Sequence, residues 1–349
     1  MAAVFPGGST NTYVPNTAAT NNMVVDFSRN VKSFSLNKYC QIVPVTKDVG
    51  YYTLMTIEEA GRILDTTMAN HIWADGEEAP SDRGRTESFQ FVPYQTKRYV
   101  YNFRLGKKAA EQASWDILAQ HGRIKAQQAM TARTQLLITL ITTGANWGSN
   151  TVAASSVPGA TGKWDVSTTA RTDIKRSINY AVEQIMKATL GAVSYDDIKL
   201  VISPGCARLI SVSQEIVDYL KQSPESLAYI KGDTGPNAQY GLPAKLYGCE
   251  LVIENAVKVT SRKGATRAAS YVMADTVALI LARPGGLVAP TDSNTVPRFS
   301  AVSIFMYEEM SVESKYDPDN RLERGRVVED FAAAITAQAA GYLITACTG

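Results

Sequence analysis

Residues able to do chemistry are sparse in this chain and badly spaced for it. The two histidines, His71 and His121, stand fifty residues apart, which removes multi-histidine metal centres and leaves little for a histidine-based triad. The four cysteines, Cys40, Cys206, Cys249 and Cys347, form no CxxC pair. Neither a zinc knuckle nor a dense disulfide framework is implied, and free thiols in a reducing cytosol fit best. Cys206 follows Ser203 and Pro204 at an expected helix start, where a helix N-terminus favours the thiolate. A cysteine-based hydrolase or transferase is therefore one reading, with no histidine evidently placed to partner the thiol. Residues 158–164, PGATGKW, come nearest to a phosphate loop, but position 157 is not glycine and Trp164 stands where Ser or Thr should bind magnesium. No GxSxG, GxGxxG or HExxH pattern occurs. The acidic pairs Glu58–Glu59, Glu77–Glu78, Asp196–Asp197 and Glu308–Glu309 are adjacent in sequence, whereas catalytic carboxylates need facing elements. They read as solvated surface, and no cofactor or metal is called for.

Charge narrows the partners. With 35 basic and 33 acidic side chains in 349 residues the formal net charge is +2, too little to draw in nucleic acid or an anionic membrane by field alone. Lys107, Lys108, Arg123, Lys125 and Arg133 gather in one stretch and Arg262, Lys263 and Arg267 in another. Without interleaved stacking aromatics they suit non-specific contact with a packed genome and not sequence reading. The first residues lack the basic and apolar regions of a secretory signal, and no stretch approaches the length of a membrane span. A soluble, cytosolic product with no membrane partner is expected.

The elements that must position these residues follow from periodicity. Residues 1–30 hold only two charged side chains, Asp26 and Arg29, and little that could form a core. They read as an arm that orders on a partner, with Phe5, Tyr13 and Val14 as anchors. Residues 51–55 look like a strand, and Thr56 with Glu59 resembles a capping box before a short helix. From residue 88 a long run, SFQFVPYQTKRYVYNFRL, places Phe89, Phe91, Tyr99, Tyr101, Phe103 and Leu105 on one face and Gln90, Thr96, Arg98, Asn102 and Arg104 on the other. A hairpin of 50–55 with 88–105 is marginal alone. It needs a surface, in its own domain or in another molecule.

Residues 107–144 lack proline, are rich in helix formers and end at Gly144; they predict one strut-like helix of roughly 50–55 Å. A Gly/Ser/Thr/Ala-rich loop with Trp147 and Trp164 follows, then an amphipathic helix with Ile174, Ile178, Ala181, Val182 and Ile185 on one side and Gly191 closing it. DIKLVISPGCARLI reads as a buried strand entering a helix, with Ser203 as N-cap and Pro204 at the first helical position. Strands at 250–254 and 271–281 continue a mixed lobe. A second long hairpin turns at Asp317, Pro318, Asp319 and Asn320.

This succession of arm, long loop, strut helix, tryptophan loop, helix, mixed lobe and closing hairpin resembles the major capsid proteins of tailed bacteriophages with the Hong Kong phage-type fold. Local matches are WDVSTT at 164–169, LVISPGCARLI, LYGCELVIENAV at 246–257 and AAGYLI at 339–344. The resemblance implies an α+β fold divided into an N-terminal arm at 1–40, an E-loop and its base at 41–106, a spine helix at 107–144, a P-domain at 145–198 and 297–338, and an A-domain at 199–296 and 339–349. It implies a non-enzymatic subunit that assembles as pentamers and hexamers into an icosahedral shell around double-stranded DNA, in the virion, after assembly in the host cytoplasm. In such shells the E-loop lies over a neighbour. Phe89, Phe91, Tyr99, Tyr101 and Phe103 would then be covered by another copy, and Glu77, Glu78, Asp82, Arg83 and Arg85 at the loop tip would pair with its charges. No lysine occurs in 72–96, so the resemblance implies no covalent cross-linking from this loop. There is no room for a long N-terminal scaffolding region, so a separate scaffolding protein is expected, with a portal and a cement protein as further partners. An encapsulin-type compartment shell is the alternative within the same fold.

Overall fold

The aromatic run at 88–105 breaks at Thr96 into strands that serve two different sheets. The computed structural model describes residues 34–55, 75–76, 89–112, 116–167, 172–222, 240–262, 264–283 and 300–349. In chain order the first elements are α1 (Leu36–Tyr39), β1 (Gln41–Pro44), β2 (Val49–Met55), β3 (Phe89–Gln95), β4 (Lys97–Gly106), α2 (Lys107–Gln112) and α3 (Ile117–Thr142). Then come β5 (Thr151–Ala153), α4 (Asp173–Ala188), β6 (Ile198–Ile202), α5 (Pro204–Ser211), α6 (Gln214–Gln222), β7 (Lys245–Leu246), β8 (Cys249–Ile253), β9 (Val257–Val259) and β10 (Ala269–Tyr271). The chain closes with β11 (Ala278–Ala282), β12 (Val302–Asp317), β13 (Leu322–Ile335) and β14 (Gly341–Thr345).

Two larger sheets and two ribbons result. One sheet has the order β1-β12-β13-β4, and the other β5-β14-β11-β6-β8-β7. β2–β3 and β9–β10 are two-stranded. Among the described residues β2 pairs only with β3, from Val49 opposite Gln95 to Met55 opposite Phe89, whereas β4 pairs antiparallel with β13. The expected single strand is therefore corrected. Thr96 donates its N–H to the Asp48 carbonyl at 2.8 Å, which closes the ribbon and releases the chain to a new partner.

The expected single strut is also two helices. Asp116 sits outside helical geometry and its Oδ1 accepts from Ala119 N–H at 2.9 Å, a new N-cap at the start of α3. At the other end Gly144 is not the stop. Thr143 turns extended, and the last carbonyls are taken by side chains, Leu140 by Asn146 Nδ2 and Ile141 by Trp147 Nε1, each at 2.7 Å. The expected Ser203 cap holds, accepting from Cys206 N–H at 3.0 Å with Pro204 at the first position. Gly191 closes α4 at φ +78°, donating to the Met186 carbonyl. The start of α4 draws its cap from elsewhere: the Glu215 carboxylate on α6 accepts from Ile174 and Lys175 N–H, both at 3.0 Å.

The six-stranded sheet is the heart of the core. All five residues of β11 are buried, and in β6 and β8 only one residue each is not. This continuity explains why its strands read as apolar runs and not as alternations. α4 packs on β11 and β14, and β5 pairs with β14; segments expected in separate domains thus share one hydrophobic cluster. Leu36, Tyr39 and Cys40 belong to that cluster. The last residues of the expected arm are therefore core, held where buried Glu254 accepts from Ser35 Oγ at 2.6 Å and Tyr39 OH at 2.9 Å.

Candidate assembly interface

Alternation along β2 and β3 gives their ribbon two faces. One carries Tyr52 and Tyr94, whose rings stack on Phe305 of β12 with centroids 5.5 and 4.5 Å away. The opposite face sets Val49, Tyr51 and Thr53 across from Gln95, Pro93 and Phe91, all exposed. Tyr51 is 68% and Phe91 66% exposed. Other large apolar residues are exposed as well, Val212 and Val312 among them, but here they lie side by side in one face, the kind of surface that suits contact with another molecule. A second ribbon repeats the pattern: Val257 lies opposite Tyr271 and Val259 opposite Ala269, all four exposed.

The expected contact residues divide accordingly. Phe91 lies on the bare face of β3, and Phe89 holds the end of that strand opposite Met55. The expectation that Tyr99, Tyr101 and Phe103 wait for a neighbour is corrected for Phe103 alone. Phe103 is 7% exposed, lies against His121 of α3 at 6.2 Å between ring centroids, and rests over Gly325 of β13. A side chain at Gly325 would collide with its ring. Tyr99 lies 4.9 Å from Phe331 between ring centroids, and both Tyr99 and Tyr101 are half-buried. These rings share the sheet face that α3 covers, and of the three only Phe103 is fully covered by its own chain. The run's alternation is legible in sequence, but not the helix that covers half of it. Phe5, Tyr13, Glu77, Glu78, Asp82, Arg83 and Arg85 lie outside the described residues, as do the capping box at Thr56 and His71. Val49, Tyr51, Val257, Val259 and Tyr271 were not among the expected contacts, although the alternation of Val257, Lys258 and Val259 hinted at a ribbon.

Beneath the sheet, Arg133 of α3 reaches buried Glu329 of β13 at 3.5 Å. Burial pushes the Glu329 carboxyl above its ordinary range, with Arg133 pulling the other way. His121 is held below its ordinary value by burial and then by Lys125. Cys206 does not carry a nucleophile's electrostatics. It is fully buried, and burial, with Asp275 and Asp165 adding, pushes its thiol up to about 12. Desolvation has overridden the helix N-terminus. Among the described residues no group of His, Cys, Asp and Glu is arranged to hold a metal, and no helix is long and apolar enough to cross a membrane.

No protein-family model and no curated protein matches the sequence. Solved structures do. The architecture is the α+β fold of phage capsid chains. It is similar to a chain in the capsid structure of the cyanophage P-SCSP1u, at TM-score 0.57 and 10% identity over 98% of both chains. It is similar also to a chain in the mature capsid of bacteriophage PhiM1, at 0.54 and 12% over 93% of this chain and 90% of that one. A phage-related protein from Bordetella bronchiseptica RB50 aligns at 0.59 and 15% over 91% and 94%.

Proposed function

We propose that the chain is the major structural subunit of a tailed-phage capsid, assembling through identical copies as pentamers and hexamers into a shell around double-stranded DNA. The observation that carries this reading is the β2–β3 ribbon, seated on Phe305 by one face and presenting Val49, Tyr51 and Phe91 to solvent on the other. A two-stranded ribbon is marginal in water, and covering its bare face is what many identical contacts would do cooperatively. The role is structural. It asks for no catalytic residue, and the buried Cys206 thiol suits packing better than turnover. Phe5 and Tyr13 are the proposed arm anchors. A separate scaffolding protein, a portal and a cement protein are the proposed partners, with DNA contacted non-specifically.

The test is to express the full-length chain alone and together with the products of its neighbouring genes, then follow sedimentation and electron micrographs. Capsomers, tubes or closed shells are expected, and nuclease-protected duplex DNA inside them would separate a virion from an enzyme-filled compartment. A strictly monomeric species under every condition would overturn the reading.

A further inference from the structure

Beyond a buried root, the β9–β10 ribbon stands clear of the body of the chain. Ala256 and Val272 are buried and joined, the Val272 N–H donating to the Ala256 carbonyl at 2.7 Å, and the Ala256 N–H donates in turn to buried Glu254 at 3.0 Å. From Val257 to Tyr271 every described residue is exposed or half-exposed. The turn is ordered all the same. Thr260 N–H donates to the Ala268 carbonyl and Ala265 N–H to the Arg262 carbonyl, each at 3.1 Å, with Gly264 at φ +89°. Val257 and Tyr271 are directly opposed and Val259 lies two residues along, so the three share one face; they are 38%, 43% and 53% exposed. Tyr271 also lines a depression of about 440 Å³ together with Arg208, Ser211, Tyr240 and Asp275. A two-stranded ribbon is marginal in water, and this one keeps an apolar face that none of the described residues covers.

Charge narrows what covers it. Residues 255–274 hold Lys258, Arg262, Lys263 and Arg267 and no acid, in a chain whose charges otherwise nearly balance. Arg262 and Arg267 beside the turn are exposed with no ion-pair partner among the described residues, and so is Arg208 at the depression. An occupant with acids at both ends of the apolar patch is therefore favoured. A phosphate backbone supplies the charge but gains nothing from Val257 and Val259. A strand added to the edge of β10 leaves the same face in water. A helix laid across the face covers it: the two strands are about 4.8 Å apart under a helix about 10 Å wide, and the three residues of β9 span about 10 Å, roughly two helical turns. A second copy of this chain offers no such helix among its described residues. α1, α3 and α5 contain no acid. Each acid on α2, α4 and α6 is already engaged within the chain, Glu111 with Lys107, Glu183 with Lys187 and Asp218 with Lys221 among them.

We propose that the apolar face of the β9–β10 ribbon, with the depression beside Tyr271, is the docking site for an acidic amphipathic helix of a different protein. The helix covers Val257, Val259 and Tyr271 with apolar residues spaced i, i+3 or i+4 and i+7, and its carboxylates meet Arg262 and Arg267 at one end and Arg208 at the other. The site is separate from the β2–β3 face offered to identical copies, so the proposal goes beyond the shell-subunit reading and does not depend on it. One such contact is small and weak by itself; any assembly that repeats it strengthens it by avidity.

The probe is a labelled synthetic helix of about 14 residues, roughly four turns, with leucine on one face and glutamate on the other, beside a counterpart carrying lysine in place of glutamate. Each is titrated into the full-length chain, with binding read by fluorescence anisotropy and its place by amide hydrogen exchange. The glutamate helix is expected to bind at least about tenfold more tightly than the lysine helix and to slow exchange within residues 257–271. V259S/Y271S should weaken it by roughly tenfold or more, and R262E/R267E should abolish the preference between the two helices. Both variants should keep the wild-type thermal midpoint, since all four residues are exposed. Equal binding of the two helices, protection elsewhere in the chain, or variants that bind like wild type would overturn the proposal. A duplex DNA fragment that protects residues 257–271 where the glutamate helix does not would assign the ribbon to nucleic acid and overturn it too. Protection that rises with protein concentration in the absence of any helix would assign the face to a second copy, with the same result. R262E/R267E is expected to assemble as wild type does, so a wild-type chain that never assembles counts against the shell reading and leaves this outcome standing.

Discussion

Replacing Phe91 with serine should weaken assembly without unfolding the subunit. An aromatic side chain carries roughly 150–250 Å². At 66% exposure Phe91 leaves roughly 130 Å² in water, worth up to about 3 kcal/mol if covered at about 25 cal/mol per Å². Association costs and incomplete coverage reduce this to about 2 kcal/mol per contact. That corresponds to roughly a 30-fold weaker contact, and because every subunit repeats the loss, the threshold concentration for assembly should rise by at least that order. The folded monomer should hardly notice, since an exposed ring contributes within about 0.5 kcal/mol to its stability. Light scattering against protein concentration reads the threshold, and thermal unfolding of dilute protein reads the monomer. An unchanged threshold would refute the reasoning, as would a thermal midpoint that falls along with it, because that would place the ring inside its own subunit.

Phe103 is predicted to behave in the opposite way: Phe103→Ala should cost the monomer about 3–5 kcal/mol by emptying its seat under α3, read by chemical denaturation. Gly325→Ala, which pushes a methyl group into the same ring, should cost about 1–3 kcal/mol by overpacking. Glu254→Leu orphans the buried Ser35 and Tyr39 hydroxyls and should cost about 2–4 kcal/mol, with limited proteolysis cutting near residues 34–40 well before wild type. His121 is held below its ordinary value of 6.5 in the fold, so the unfolded chain binds its proton more readily. Its contribution to stability is present above about pH 6.5 and is lost as pH falls through the folded value. His121→Gln should therefore flatten the fall in stability over that range, measured as denaturation midpoints against pH.

Much of the fold could be read from the chain because its signals were local. Ser203 before Pro204, Gly191 after an apolar stripe, and the Asp317–Asn320 turn between two long strands each name their structure by chemistry that neighbours in sequence supply. What failed was non-local. Thr96 ends one pairing only because the Asp48 carbonyl lies beside it, and nothing near Thr96 in sequence announces that. Asp116 inside a helix-rich stretch is a stronger warning, since aspartate favours caps over interiors, but the surrounding helix formers outweighed it. The candidate interface divided in the same way. Period-two alternation identified the aromatic face, yet whether a ring on it meets α3, as Phe103 does, or water, as Phe91 does, depends on elements tens of residues away. Buried Cys206 makes the point for chemistry, where a helix N-terminus visible in sequence was overruled by desolvation visible only in the folded core.

An electron cryomicroscopy map of particles formed by the full-length chain, at a resolution showing side chains, bears most directly on the account. Tyr51 and Phe91 should lie beneath a neighbouring copy, with Phe103 still under α3 of its own. Particles in which both exposed rings still face water would contradict it.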